Sequence, residues 1–317
     1  MARSVLFQPK EIPMIGRRSS LLLPFGVLAV PSLARAQAGW RAQFRELRYG
    51  IISAENERDA VARLQGLAAY TQRKLGVPMR ITRGTDYAAV VEALRSNQLE
   101  FAHLGPAAYA LARRSMGERV LPLLRHRGHD GAEGYFSVIF VRADSAVRSL
   151  ADLRGRPFAF ADPNSASGFA APSYFLRKEG IEPARFFGRT GFSGNHEQSV
   201  IAVLNGTFDA AATFWNNEES GNIQRMVEKG MIQPGTTRIV WRSPLIPNSP
   251  TVTRAEVPEE LRRDFIAMMQ AMPQEAPEVL QQLSANTAGF VIARHEDYAD
   301  VIAMVEENQA QRRERRP

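Results

Sequence analysis

From residue 47 onward, short apolar runs alternate with longer stretches in which apolar side chains recur every three or four positions. The short runs read as buried strands and the longer stretches as amphipathic helices. Residues 47–52 predict a strand and 58–75 a helix, which Gly76 ends and Pro78 prevents from continuing. Residues 79–82 and 101–104 predict further strands, leading into helices over 87–94 and 107–113. A long strand over 135–142 runs into the polar stretch 143–149, where a second unit begins. There the alternation repeats, with strands over 157–161, 187–192, 209–215 and 238–241 and helices over 168–178, 196–204 and 222–229. Pro244, Pro247 and Pro250 then fall within one short segment, which predicts an extended connection. Helices over 259–272, 277–283 and 296–308, with one strand over 290–293, complete the pattern.

This is an α/β alternation. It predicts two α/β lobes joined by two extended crossings around a central cleft. Residues 44–142 with 250–308 form the first lobe, 143–249 the second, and 309–317 a basic tail. Ligands of such sheets sit beyond the carboxyl ends of the strands, at helix N-termini. A few turns therefore carry the search for chemistry.

The first 36 residues follow a different rule. Arg17 and Arg18 precede an apolar run over 21–30, and Ala34, Arg35 and Ala36 form a small-x-small cleavage pattern. That order predicts a cleavable signal peptide and a periplasmic, exported protein. The apolar run contains Pro24 and Gly26 and is too short to span a bilayer. The paired arginines leave ordinary secretion and the twin-arginine route both open, and either Met1 or Met14 is a workable start.

Charge changes meaning once this segment is set aside. The chain carries a formal +7, with a pI near 10.0, which invites a nucleic-acid reading. Arg3, Lys10, Arg17, Arg18 and Arg35 against Glu11 place +4 in the first 36 residues, and Arg312, Arg313, Arg315 and Arg316 against Glu314 place +3 in the tail. The remainder is near neutral, with no footprint for a phosphate backbone. The tail reads as a solvated end or a contact for anionic lipid. Cysteine is absent, which excludes disulfides and thiolate metal sites.

At the end of the 157–161 strand the chain runs through Asp162, Pro163, Asn164, Ser165, Ala166, Ser167 and Gly168 into a helix. Small residues leave backbone N–H groups uncovered, and the two serines add hydroxyls; the turn reads as an anion site or as a plain helix cap. His196 opens the next helix after Ser193, Gly194 and Asn195, on the same kind of strand-to-helix edge. Gly84, Thr85, Asp86 and Tyr87 form another turn into a helix, and Tyr135 enters the long strand; each tyrosine presents its hydroxyl to a cleft or packs in the core. His103, His126, His129 and His295 show no metal spacing and receive no role. With no nucleophile elbow, cysteine nucleophile or paired carboxylates, binding is a better reading than catalysis.

At these turns the sequence resembles the periplasmic substrate-binding proteins of phosphonate, phosphite and phosphate-type ABC transporters. The likeness runs over residues 47–304 and rests on the 162–168 turn with Pro172, on Ser193 to Glu197, and on Ser243, Pro244, Leu245, Ile246 and Pro247. It implies a type II periplasmic-binding-protein fold, a monomer without cofactor, and delivery to an inner-membrane ABC permease with its ATPase. It implies that the Ser165, Ala166 and Ser167 turn holds the phosphonate oxygens, that His196 adds a charge-assisted bond, and that Tyr87 and Tyr135 close the site. Family members commonly carry a hydroxyl residue where Ala166 stands; its N–H remains. Asn217 and Ser249 occupy positions where acidic contacts to a ligand ammonium are expected. A neutral pair cannot compensate a buried ammonium, which predicts an alkylphosphonate or phosphite rather than an aminoalkylphosphonate. The competing readings are an exported α/β enzyme acting on a small phosphate ester and a binding protein serving a periplasmic sensor.

Overall fold

Thirteen strands and the helices between them form two sheets in the computed structural model, which describes residues 39–52, 57–284 and 286–314. The predicted signal peptide and the last tail residues, 315–317, lie outside that range. In chain order, the first four strands are β1 (Leu47–Ile51), β2 (Met79–Arg83), β3 (Phe101–His103) and β4 (Val120–Gly128). Seven more follow: β5 (Gly134–Arg142), β6 (Pro157–Phe160), β7 (Arg189–Phe192), β8 (Ala210–Asn217), β9 (Ser220–Gly221), β10 (Thr237–Arg242) and β11 (Ile246–Pro247). The last two are β12 (Pro250–Arg254) and β13 (Thr287–Ile292).

The first sheet has the order β13-β4-β12-β3-β1-β2, with β1 parallel to β2 and β3. The second runs β10-β5-β8-β6-β7, with β6 parallel to β7 and β8. The parallel strands of each sheet aim their carboxyl ends at the turns singled out by the sequence. Each sheet carries its own apolar packing: Phe101 stacks on Phe265 at 4.1 Å in one and Phe158 on Phe187 at 4.1 Å in the other. A third cluster, including Ala107, Ala166, Ile246, Val301 and Met304, ties the second crossing and the C-terminal helix to the serine turn.

Four differences from the sequence reading emerge. β5, assigned to the first lobe, pairs with β8 and β10 in the second sheet. Gly128 and Gly134 bracket the crossing, so the change of sheet precedes the strand rather than following it. β4 was not predicted. Its burial does not alternate, and Pro122, Arg125, His126 and Arg127 interrupt its apolar run. The Pro-rich connection is extended, as expected, and its last proline begins a buried strand, β12, between β3 and β4. The C-terminal helix also runs further than predicted, over Ala299–Glu314, with Arg312 lying 5.4 Å over the Phe169 ring. Among the described residues, no helix is long and apolar enough to cross a membrane.

Candidate anion-binding site

After β6 the chain turns into Ser165, which caps a single π-helical turn, Ala166–Ala170. Ser165 Oγ accepts the Gly168 N–H at 3.0 Å, and the Ala170 N–H donates to the Ser165 carbonyl at 3.0 Å. Bonds reaching back five residues leave the N–H groups of Ala166 and Ser167 ahead of the first intrahelical acceptor. The positive end of the local peptide dipoles therefore gathers at the turn. Wide turns of this kind are frequent at functional sites.

His196 begins the helix His196–Leu204, capped by Asn195, whose side chain accepts the Gln198 N–H at 2.9 Å. Its Nε2 lies 3.1 Å from Ser165 Oγ and its Nδ1 3.1 Å from Thr213 Oγ1. Burial, reinforced by the Arg225 charge, pushes its pKa down to about 3. A neutral imidazole has one N–H to give. If Nε2–H donates to Ser165 Oγ, which already accepts from Gly168, the serine proton is turned toward the cavity and Thr213 donates to Nδ1. The resemblance implies a charge-assisted bond from His196; the ring reaches the turn through Ser165, and in the ligand-free chain burial and the Arg225 charge favour its neutral form. Close approach requires Gly168, where a Cβ would meet Ala161 Cβ at 2.5 Å, Ser165 Oγ at 2.9 Å and His196 Cε1 at 3.1 Å.

The turn is braced from behind. Ser137 Oγ donates to the Ser167 carbonyl at 2.7 Å, and the Ser137 N–H donates to Ser243 Oγ at 3.0 Å, at the start of the second crossing. From the first sheet, Tyr87 opens the helix Tyr87–Arg95 under an Asp86 cap. Burial raises the Tyr87 phenol pKa and Ser165 pulls it back; burial likewise raises that of Tyr135, opposed by Ser167. The two phenols thus face the two serines. Burial also raises the Asp162 carboxyl, opposed by the backbone N–H groups of Asn164 and Tyr87.

Tyr87, Tyr135, Ser165, Ala166, Ser167, His196 and Ser249 all line one cavity of about 190 Å³. Asn217 does not. Alternation along β8 gives Phe214 and Asn216 to the cavity, while the Asn217 side chain accepts the Glu219 N–H at 3.0 Å. Sequence reasoning missed Asn216 by one residue, and it missed Arg63, Arg225, His103 and His126, which line the same cavity. The signal for His103 was its place at the carboxyl end of β3, directly before the Leu104, Gly105 and Pro106 turn. No Asp or Glu lines the cavity among the described residues, and no cluster of His, Asp and Glu there could hold a metal.

With this geometry the rest of the chain agrees. Residues 49–298 match the periplasmic phosphonate substrate-binding proteins of ABC transporters. The chain belongs to that family. It is similar to the phosphonates-binding periplasmic protein of Escherichia coli K12, at 30% identity over 249 residues, 76% of this chain and 71% of that one. It is 32% identical over 208 residues to a phosphate-import protein of Mycolicibacterium smegmatis, covering 62% of this chain and 63% of the relative. A solved structure from Prochlorococcus marinus in complex with methylphosphonate shares the fold, with a TM-score of 0.73 at 20% identity, over 84% of this chain and 98% of that one. The chain is accordingly a substrate-binding component of an ABC transporter, with the type II periplasmic-binding-protein fold. Its family works in the periplasm beside a membrane permease, and its members bind rather than convert their substrates.

Proposed function

We propose that this protein captures a small phosphorus oxyanion without an amine, an alkylphosphonate or phosphite in preference to an aminoalkylphosphonate. One observation carries the reading: hydroxyls, backbone N–H groups and arginines converge on the cavity, while among its described lining residues there is no carboxylate to receive an ammonium. Burying an unpaired ammonium costs several kcal/mol. Methylphosphonate in the Prochlorococcus relative supports a ligand of this size.

In this reading Ser165, Ser167 and the N–H groups of Ala166 and Ser167 hold the phosphoryl oxygens, Tyr87 and Tyr135 donate from the facing side, and Asn216 and Ser249 add neutral polar groups to the same cavity. The two sheets close over the ligand as lobes, and the closed monomer is what the permease meets. Residues 1–36 direct export and are removed, so the periplasmic form begins at Gln37; N-terminal sequencing of that form tests the cleavage. A thermal-shift panel tests the ligand class. Methylphosphonate and phosphite should raise the unfolding midpoint by several degrees and 2-aminoethylphosphonate should not; the reverse order removes the reading.

A further inference from the structure

The serine turn is only part of the cavity's lining. The same space is also lined by His103, His126, Arg63 and Thr287. About 190 Å³ is roughly an order of magnitude more than a single water requires. Methylphosphonate places nothing beyond a methyl group past its phosphoryl oxygens.

None of these four residues is a carboxylate, and no carboxylate is among the described residues that line the cavity. Arg63 is fixed by donating from Nη1 to the Leu283 carbonyl at 2.7 Å. Thr287 is 3% exposed, and its Oγ1 is buried without a hydrogen-bond partner among the described residues. A buried hydroxyl left so is costly, about 1–3 kcal/mol, and calls for an explanation. Burial pushes the pKa of His103 down to about 3, helped by His126, Arg63 and Arg225, and that of His126 down to about 4, helped by Arg225. The charged residues acting on both rings are arginines, so the field there is positive and suited to a second anion.

The geometry points to a second subsite, formed by Arg63, Thr287, His103 and His126, that takes the carboxylate of a phosphonate whose other end sits on the Ser165–Ser167 turn. The ligand class is a carboxyalkylphosphonate. This rests on the serine turn being the phosphonyl site, as proposed above. Arg63 supplies the charge-assisted bond and Thr287 a neutral one, and the imidazoles each offer one N–H.

Calorimetric titration of the full mature chain with phosphonoacetate and with methylphosphonate tests the subsite. Phosphonoacetate should bind at least about tenfold more tightly, the gain of one charge-assisted contact. Arg63→Met and Thr287→Val should each reduce the ratio of the two affinities toward one. Equal affinities in the wild-type chain, or a ratio that neither substitution changes, overturn the subsite while leaving the phosphonate reading intact. A chain that binds neither compound overturns both.

Discussion

Gly168 sits at the tightest point of the site. A methyl group there would press on Ala161, on the capping hydroxyl of Ser165 and on the His196 ring at once. Gly168→Ala should weaken phosphonate binding by about tenfold or more and cost about 1–3 kcal/mol of stability, since none of these neighbours is the free end of a flexible chain. Calorimetry and urea unfolding of the same variant measure the two effects. His196 carries the pH dependence. Its folded pKa of about 3 lies below the ordinary imidazole value of 6.5, so between those values the unfolded chain binds more protons. His103 and His126 act in the same direction. Stability of the unliganded protein should therefore fall as pH drops from about 6.5 toward 4. Thermal unfolding should show this fall, and His196→Asn should make it shallower; an equally steep fall in the variant contradicts the assignment.

At the scale of elements, the crossings decide how the site is held. Gly134 lies against the second crossing, where a Cβ would meet the Ile246 carbonyl at 2.5 Å. Tyr135 pairs with Ile246, and the Asn248 N–H donates to the Glu133 carbonyl at 2.9 Å. Gly134→Ala should separate the crossings and destabilise the protein by about 1–3 kcal/mol, which denaturant unfolding would register. The elements themselves were largely legible. The turns ending at Asp86 and Asn195 announced their helices, which those two residues cap, and Gly76, with φ of 74°, ended one. What stayed hidden was pairing. Nothing in an apolar run over 135–142 says which sheet it joins, because that depends on strands more than sixty residues away. The π-helical turn was equally invisible, since Ser, Ala and Gly suit an ordinary N-terminus as well. Asn217 was named in place of Asn216 because a shift of one residue reverses the face of a strand.

For the whole molecule, the relevant contacts are those that join the two sheets. Lys229, behind the second sheet's helix Asn222–Glu228, lies 3.1 Å from Asp59 of the first helix and 2.9 Å from the buried Glu197, next to His196. Asp59→Asn leaves the Lys229–Glu197 pair in place and removes the charge that bridges the halves. A partly exposed pair contributes about 0.2–1 kcal/mol, so ligand affinity should fall by at most about fivefold at low salt and by less at high salt. The central claim is that this cavity takes a phosphorus oxyanion and has no place for an amine. Competitive calorimetry of the mature chain with methylphosphonate and 2-aminoethylphosphonate tests it most directly. Tighter binding of methylphosphonate by about tenfold or more is the predicted result, and tighter binding of 2-aminoethylphosphonate would contradict it.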